Sequence, residues 1–420
     1  MKNKIFVALI VILCGVFSAS AQDTASAGWK VSFGADERLR AENKRNFDFN
    51  DALGDNGSLV YQRVRLNGKA AFENKYEFFS EVMDLRVGNI NIPKTAQGDN
   101  LDLHQAYAGV KSVFGLPLEV KAGRQELKYG QGRLLWAATW GNRINHFDGA
   151  VLKYKSGGLS ADAFHGERVS YDDDGWNDPN RHDVLSGAYL SYRKDKDTPL
   201  VEGYFLSNYD SSNMSTLNRR TVGVRGQVLL PGAVLCDLEI PYQFGTSSRK
   251  SVYARAFHLD LSREFERAWS PRVAAALNYA SGDKNPSDSV NNTFVPLYQS
   301  VHEPYGVMDF FRWQNMRETA LEISVKPEKK LKITAAANFF WLARAKDSWY
   351  DSAGKKLRTN AAGAAGTYVG QEASLLAKYD MSRWGSLEGG YARFFTGKYV
   401  KNTGAHDDAG FFYFQLSLKI

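Results

Sequence analysis

The chain has 420 residues, of which 53 are lysine or arginine and 46 are acidic, so its formal net charge is +7. Its two cysteines are too few for a disulfide framework or a thiol metal cluster. The chain is basic, but it has no helix-turn-helix, zinc-finger or RNA-binding signature, so we expect no nucleic-acid partner. An aromatic content of 13% with a mean hydropathy of −0.39 is more typical of an exported barrel than of a soluble enzyme.

The chain begins with the features of a secretory signal peptide. Two lysines precede an apolar run over residues 5–17, and small residues follow at 19–21. The run is shorter than the roughly 20 residues of a spanning helix, which disfavours a retained anchor. Residues 1–21 are therefore predicted as a signal peptide cleaved after Ala21. The remaining 399 residues (420 − 21) carry a net charge of +5 (51 − 46) and one cysteine, Cys236.

The segment that follows alternates between apolar and polar residues. In "WKVSFGADERLRAE", Trp29, Val31 and Phe33 oppose Lys30 and Ser32. Strands with lipid on one face and water on the other alternate in this way. A soluble sandwich alternates too, but here segments of about ten residues repeat along the whole chain, as transmembrane barrel strands do. The fold class predicted for residues 22–420 is therefore a single all-β domain, a transmembrane antiparallel β-barrel.

Strand counting predicts the size of the barrel. The alternating segments begin near residues 29, 58, 76, 101, 117, 147, 159, 183, 199, 217, 233, 250, 269, 314, 330, 366, 383 and 410. Short and long connections alternate between them, which is typical of short periplasmic turns and long outer loops. A barrel of about eighteen strands leaves an aqueous channel rather than a packed core. The prediction is a pore of 18 strands.

The faces opposite the apolar stripes supply candidates for lining the channel or binding its solute. Arginine suits a carboxylated or phosphorylated solute because its planar fork binds such groups bidentately. Any one of these cations could equally be a solvated wall residue. The candidates are Arg38, Arg40, Arg63, Arg65, Lys121, Arg124, Arg133, Arg143, Lys153, Arg219, Arg225 and Arg344. Inward acidic residues are also expected: Asp36, Glu42, Glu322, Glu372 and Glu388.

A loop rich in glycine, arginine and aromatic residues is predicted at 127–146. Arg124, Arg133 and Arg143 can stack on aromatic rings there, and the glycines allow tight turns. One hypothesis is that the loop folds against or into the barrel and narrows the pore. The other is that its arginines only brace the loop.

Two blocks resemble the alginate export family of outer-membrane porins. The first carries Gly-Arg-Gln from residue 123, Tyr-Gly-x-Gly-Arg-Leu from residue 129 and Phe-Asp-Gly from residue 147. The second is "NTFVPLYQSVHEPYGVMDFFRWQN", residues 292–315. The resemblance extends over most of the mature chain. It implies a monomeric 18-stranded barrel whose arginine-rich lumen passes anionic polyuronate.

The predicted function is passive diffusion or export of anionic solutes, with alginate-like polyuronate as the expected substrate. Expected partners are an anionic polysaccharide or small anionic solute, outer-membrane lipid and lipopolysaccharide, and periplasmic export proteins. Two further possibilities are a general or nutrient-uptake porin without polyuronate selectivity and a structural or adhesin barrel plugged by the loop at 282–313. Calcium binding by "DDDG" at 172–175 is a weaker one.

An enzyme is not expected, because no histidine lies in a Gly-x-Ser-x-Gly or His-Glu-x-x-His context. The histidines considered as catalytic bases were His104, His146, His165, His182, His258, His302 and His406. No cofactor, metal or catalytic residue is predicted.

Overall fold

The computed structural model describes residues 28–54, 56–89, 97–172, 175–195, 198–211, 216–300, 302 and 304–420. The predicted signal peptide lies outside the described residues, as does part of "DDDG". No helix in the described part of the chain is long and apolar enough to span a membrane.

Eighteen long strands dominate the fold, and they are numbered β1 to β18 in chain order. They are Trp29–Arg45, Gly57–Phe72, Tyr76–Asn89, Asp99–Lys111, Leu118–Gln125, Phe147–Ser156, Leu159–Ser170, Asp178–Tyr192, Leu200–Asp210, Leu217–Leu230, Val234–Ser247, Lys250–Glu264, Arg272–Ala280, Met316–Glu328, Leu331–Leu342, Tyr368–Ser382, Gly385–Thr396 and Ala409–Lys419. The predicted count of 18 is confirmed. Every predicted start lies within a few residues of an observed one.

The strands close into a ring. Each pairs antiparallel with the next, and the last, β18, pairs with β1 through registers such as Arg40 opposite Gln415. Closure is required physically because an unpaired backbone amide or carbonyl in hydrocarbon costs several kcal/mol. The predicted all-β transmembrane barrel is therefore confirmed.

Several short elements lie in the connections between the long strands. Val290–Asn291 adds a parallel bridge beside β12, and Trp349–Tyr350 pairs with Lys356–Arg358. Val113–Gly115 is a single 3-10 turn and Lys398–Lys401 a single helical turn.

The two faces of the wall differ as the alternation predicted. On β18, Phe412 and Phe414 are about half exposed on the outer face, whereas Phe411 and Tyr413 are buried inside. β3 departs from this rule, because its buried Met83 and Leu85 face inward. An inward apolar face is stable only when something inside the barrel covers it.

The ends of the barrel also differ. Connections at one end are short turns such as 157–158 and 231–233, whereas most at the other end are long, the two-residue turn at 248–249 excepted. In outer-membrane barrels the short turns are periplasmic, so the long connections mark the extracellular end.

Candidate functional site: two loops inside the barrel and the cavity above them

Residues 126–146, the first inward loop, connect β5 and β6 but do not project outward. Leu135 and Ile144 are almost fully buried, and Ile144 packs with Met83 and Leu85 of β3. This loop is what covers the inward apolar face of β3. The lumen is therefore filled locally by chain rather than by water.

Two glycines beside this loop allow close approach of the neighbouring strands. Gly123 has φ +126°, and a Cβ there would lie 2.2 Å from the carbonyl oxygen of Ala106. Gly149 lies directly opposite Gly123 on β6, and a Cβ on it would lie 2.1 Å from the carbonyl oxygen of His165. Gly123 and Gly149, both in the first sequence block, thus have a steric reason.

Arginines on β1 and β2 hold the first inward loop by its backbone. Arg38 donates to the carbonyl oxygens of Thr139 and Trp140 at 2.7 and 2.8 Å and to Oδ1 of Asn142 at 2.7 Å. Arg63 donates to the same Thr139 oxygen at 2.9 Å. Forked guanidinium donors suit a cluster of carbonyl oxygens because several N–H groups point in fixed directions.

The other side of the loop reaches the opposite wall. Arg133 donates to Glu239 at 2.7 Å and to Asp237 at 3.3 Å, both on β11. In a closed ring of 18 strands, β11 lies half a turn from β2. The first inward loop therefore spans the lumen.

The second inward loop consists of the described residues between 281 and 315 and packs on the first. The Trp136 amide donates to the Tyr298 carbonyl at 2.7 Å, and the Tyr298 amide donates to the Leu134 carbonyl at 2.8 Å. The Ser300 amide donates to Gly132 at 2.7 Å. The two sequence blocks singled out above thus meet as one paired strip inside the barrel.

The second inward loop is held mainly by aromatic packing and by one carboxylate. Phe311 stacks on Phe340 of β15 with ring centroids 3.9 Å apart. Glu372 of β16 accepts hydrogen bonds from the amides of Val307 and Met308 at 2.6 and 3.3 Å. The remaining rings of this cluster are Phe49, Phe310, Trp349 and Phe394.

A cavity of about 680 Å³ opens on the extracellular side of the two loops. Its charged lining comprises five cations and two anions, an excess of three positive charges (5 − 2). The cations are Arg40, Lys44, Arg143, Arg168 and Arg312, and the anions are Glu42 and Asp309. Aromatic side chains of Tyr61, Trp140, Tyr171 and Tyr298 line it too. The arrangement combines guanidinium forks with flat apolar faces.

A three-layer stack forms one wall of the cavity. The Arg40 guanidinium carbon lies 3.7 Å from the Trp140 ring centroid, and the His302 ring is parallel to Trp140 with centroids 3.5 Å apart. Two groups this close to one centroid must occupy opposite faces of the indole. Cation–π attraction thus fixes the orientation of Arg40.

Arg312 places a second guanidinium in the cavity. Its Nη2 donates to the Pro296 carbonyl at 2.6 Å, and burial lowers the pKa of Arg312 to about 10. It stays protonated at neutral pH. Burial also raises the pKa values of Tyr171 and Tyr298, so both phenols remain neutral hydrogen-bonding groups.

The predicted site residues fall into groups according to their hydrogen-bond or ion-pair partners. Arg38, Arg63 and Arg219 bind neutral oxygens; Arg219 donates to Gln243 and to the Thr293 carbonyl. Others pair with carboxylates: Arg65 with Asp36, Lys121 with Glu77, Arg133 with Glu239, Lys153 with Asp162, and Arg225 with Glu202 and Asp237. Arg40 pairs with Glu42, and Arg143 donates to the Gly98 carbonyl.

Two predicted residues lie elsewhere. Arg124 is on the outer face of β5, opposite Asp148, with which it forms a 2.7 Å ion pair. Arg344 lies beyond the end of β15 at Leu342, in an extracellular connection with an exposed side chain. Neither belongs to the inner wall, so both placements in the pore lining are corrected.

Several cavity residues escaped the sequence reasoning. These are Lys44, Arg168 and Arg312. Glu372 was expected to face inward, but its role in anchoring the second loop was not predicted. Arg312 lies in the block "MDFFRWQN", where a single cation among aromatics was the available signal. The pairing of the two loops, which brings Arg312 beside Arg143, depends on contacts far apart in sequence.

Glu81, His104 and Glu126 place three potential metal ligands within 4.8 Å of one another. His104 Nε2 is 2.8 Å from Glu126, but Arg65 lies 3.8 Å from the same carboxylate and Lys128 pairs with it as well. Cations already balance this cluster, so its chemistry is that of an ion-pair network.

Comparisons with known proteins agree with this architecture. The family model described as alginate export matches residues 29–414. Pseudomonas aeruginosa OpdO is similar in structure, with a TM-score of 0.62 at 16% identity, covering 93% of this chain and 97% of that one. Acinetobacter baumannii OccAB1 has a TM-score of 0.60 at 13% identity, covering 96% and 99%. At such identities the likeness concerns the fold. No curated protein matches significantly.

Proposed function

The chain belongs to the alginate export family, and we propose that it passes anionic solutes, alginate-like polyuronates among them, passively across the outer membrane. The family and the fold make it an outer-membrane porin channel. The proposal concerns the charge of the solute and the role of the residues described above, including the choice of a channel over an enzyme.

The observation that carries the proposal is a set of buried cations bound only to neutral groups. Among the described residues, no carboxylate lies within 4 Å of Arg38, Arg63, Arg219 or Arg312, whose hydrogen-bond acceptors are backbone carbonyls and side-chain amides. Their positive charges are therefore not cancelled locally. A low-dielectric wall focuses such a field into the lumen and raises the local concentration of anions.

The cavity adds direct contacts to this field. Arg40, Arg143 and Arg312 present guanidinium groups to the same space as Trp140. Uronate residues carry a carboxylate for such forks and an apolar ring face for an indole. Many moderate contacts favour sliding of a polymer, whereas one tight site would stall it.

A nutrient-uptake porin is the second candidate, and one observation favours it. The two inward loops pair across the lumen, which suits a small solute better than a wide polymer. Both candidates predict anion preference, and they differ in whether a uronate oligomer binds.

Planar-bilayer recordings test the proposal. The reversal potential in a salt gradient should show preference for anions, and uronate oligomers should block conductance where neutral sugars do not. Arg312→Gln should reduce both effects, while the exposed Arg344→Gln serves as the matched control. Cation preference, or equal block by neutral sugars, would contradict the proposal; anion preference without uronate block would favour the nutrient porin.

A further inference from the structure

Several arginines near the extracellular ends of the strands point outward, towards lipid. A charged side chain facing hydrocarbon is unfavourable, and the cost falls towards the membrane interface. Some of these arginines are neutralised by a carboxylate on the same surface. Such pairs are Arg86–Asp84 at 2.5 Å, Arg124–Asp148 at 2.7 Å and Arg393–Asp408 at 3.3 Å.

Arg255 and Arg317 form a second group. Both side chains are exposed, and no carboxylate of the described residues lies within 4 Å of either guanidinium. Arg317 makes two long contacts, to the Leu342 carbonyl at 3.3 Å and to Thr367 Oγ1 at 3.4 Å. Most of the donor capacity of these two groups is therefore free for a ligand.

Their outward direction follows from the strand register. Arg255 lies directly opposite Tyr242, whose ring is 43% exposed on the outer face. Arg317 lies opposite Tyr279 on one side and Trp341 on the other. Directly paired residues of an antiparallel sheet share one face, so the arginines and these rings share the outer surface of β11 to β15.

The aromatic rings also indicate where the site lies relative to the membrane surface. Trp341 lies 5.5 Å from Tyr368, and Tyr253 is 54% exposed two residues before Arg255. Tyrosine and tryptophan gather at membrane–water interfaces, where one edge of the ring is wet. Arg317 is the second residue of β14 from its extracellular end, which places this aromatic group at the outer interface.

We propose that Arg255 and Arg317 form a binding site for the phosphate groups of lipopolysaccharide. The outer leaflet of the Gram-negative outer membrane is where these side chains end, and its lipid A headgroups carry phosphates. Guanidinium forks bind phosphate oxygens bidentately, and the neighbouring rings pack on the apolar part of the lipid. The paired arginines such as Arg86 and Arg393 are weaker candidates because a carboxylate on the same surface offsets the charge of each.

The test uses the full mature protein folded in detergent and titrated with bisphosphorylated lipid A, with binding followed by native mass spectrometry. The double variant Arg255→Gln/Arg317→Gln should raise the apparent Kd for lipid A by about tenfold or more. The matched control, Arg86→Gln/Arg393→Gln, removes two outward arginines of the neutralised group and should bind like the wild type.

Further measurements distinguish lipid A from other phospholipids and separate the charge of the arginines from their forked geometry. Phosphatidylglycerol should bind more weakly than lipid A, and Arg317→Lys should retain part of the affinity because it keeps the charge without the fork. Equal binding by the wild type and the double variant, or equal affinity for phosphatidylglycerol, would overturn the proposal. Heat-modifiable migration confirms folding of each variant, and ion selectivity should be unchanged because these residues lie outside the lumen.

Discussion

The two inward loops share one lumen but are held there by different forces. Arg38 and Arg63 of the wall hold the first inward loop by its carbonyl oxygens, and Arg133 of the loop donates to the carboxylate of Glu239 on the opposite wall. The second inward loop is held largely by aromatic rings such as Phe311 and Trp313, which are almost fully buried. The attachment of the first loop is polar and brings positive charge into the pore. The attachment of the second loop is mainly apolar packing. We infer that the arginine attachment of the first loop serves the solute and that the aromatic attachment of the second loop serves stability, while holding Arg312 in the cavity.

Removing a ring from the second inward loop should have the largest effect on stability. Trp313 is fully buried against Phe294, with ring centroids 5.3 Å apart. Trp313→Ala should lower the free energy of unfolding in detergent by about 3–5 kcal/mol, because it leaves a cavity in a packed cluster. Trp176→Ala is the control, since that ring is 71% exposed. Similar losses in both variants would show that the second loop is not a packed core.

Breaking the arginine attachment should change conduction more than stability. Arg38→Met removes several hydrogen bonds from a charged donor and should lower the free energy of unfolding by about 1.5–3 kcal/mol. Single-channel conductance should rise as the first loop loosens, and anion preference should fall.

Arg38→Lys separates the two contributions at this position. It keeps the charge but loses the fork that reaches Thr139, Trp140 and Asn142 together. We expect retained anion preference with raised conductance. Unchanged conductance in both Arg38 variants would mean that this loop does not limit the pore.

Acid should weaken the first inward loop through His146. Burial, with a further contribution from the nearby His104, lowers the pKa of His146 to about 3, from an ordinary value of 6.5. The unfolded chain therefore takes up a proton below pH 6.5 that the folded protein does not. Stability is fully present above pH 6.5 and falls as the pH drops towards 3, by about 2 kcal/mol at pH 5.

His146→Asn should remove this part of the acid sensitivity. An asparagine amide can still donate to the Ile144 carbonyl, which His146 Nδ1 contacts at 2.8 Å, but it does not titrate. The measurement compares the free energy of unfolding at pH 7.5 and pH 5 for both proteins. Identical losses would show that His146 is not the sensitive group.

Much of the wall was predictable, and particular residues show where prediction failed. The outward face of β18, with Phe412 and Phe414, follows directly from alternation. On β3 the same rule fails, because Met83 and Leu85 face inward under Ile144 of a distant loop. Arg124 was misplaced because it was grouped with Arg133 and Arg143 of the following loop, whereas it lies on the outer face of β5.

The sequence predicted which residue types and which two blocks form the site, but it did not predict how those residues pair. Cations beside aromatic residues pointed to the two blocks that meet inside the barrel. The partner of each cation did not follow from the sequence: Trp140 stacks with Arg40 of β1 rather than with an arginine of its own loop. Likewise, Arg225 is neutralised by two carboxylates, whereas Arg219 pairs with no carboxylate in the part of the chain that the structure describes.

The amino-acid order by itself determined the barrel, its size and its family, because an alternating stripe facing lipid is a local property of each strand. Only the tertiary structure decided which arginines keep an uncancelled charge and which loops fill the lumen. Those outcomes depend on contacts between residues far apart in the chain, such as Trp136 with Tyr298 and Arg38 with Thr139. The energy of a charge depends on which neutral or acidic group ends up beside it.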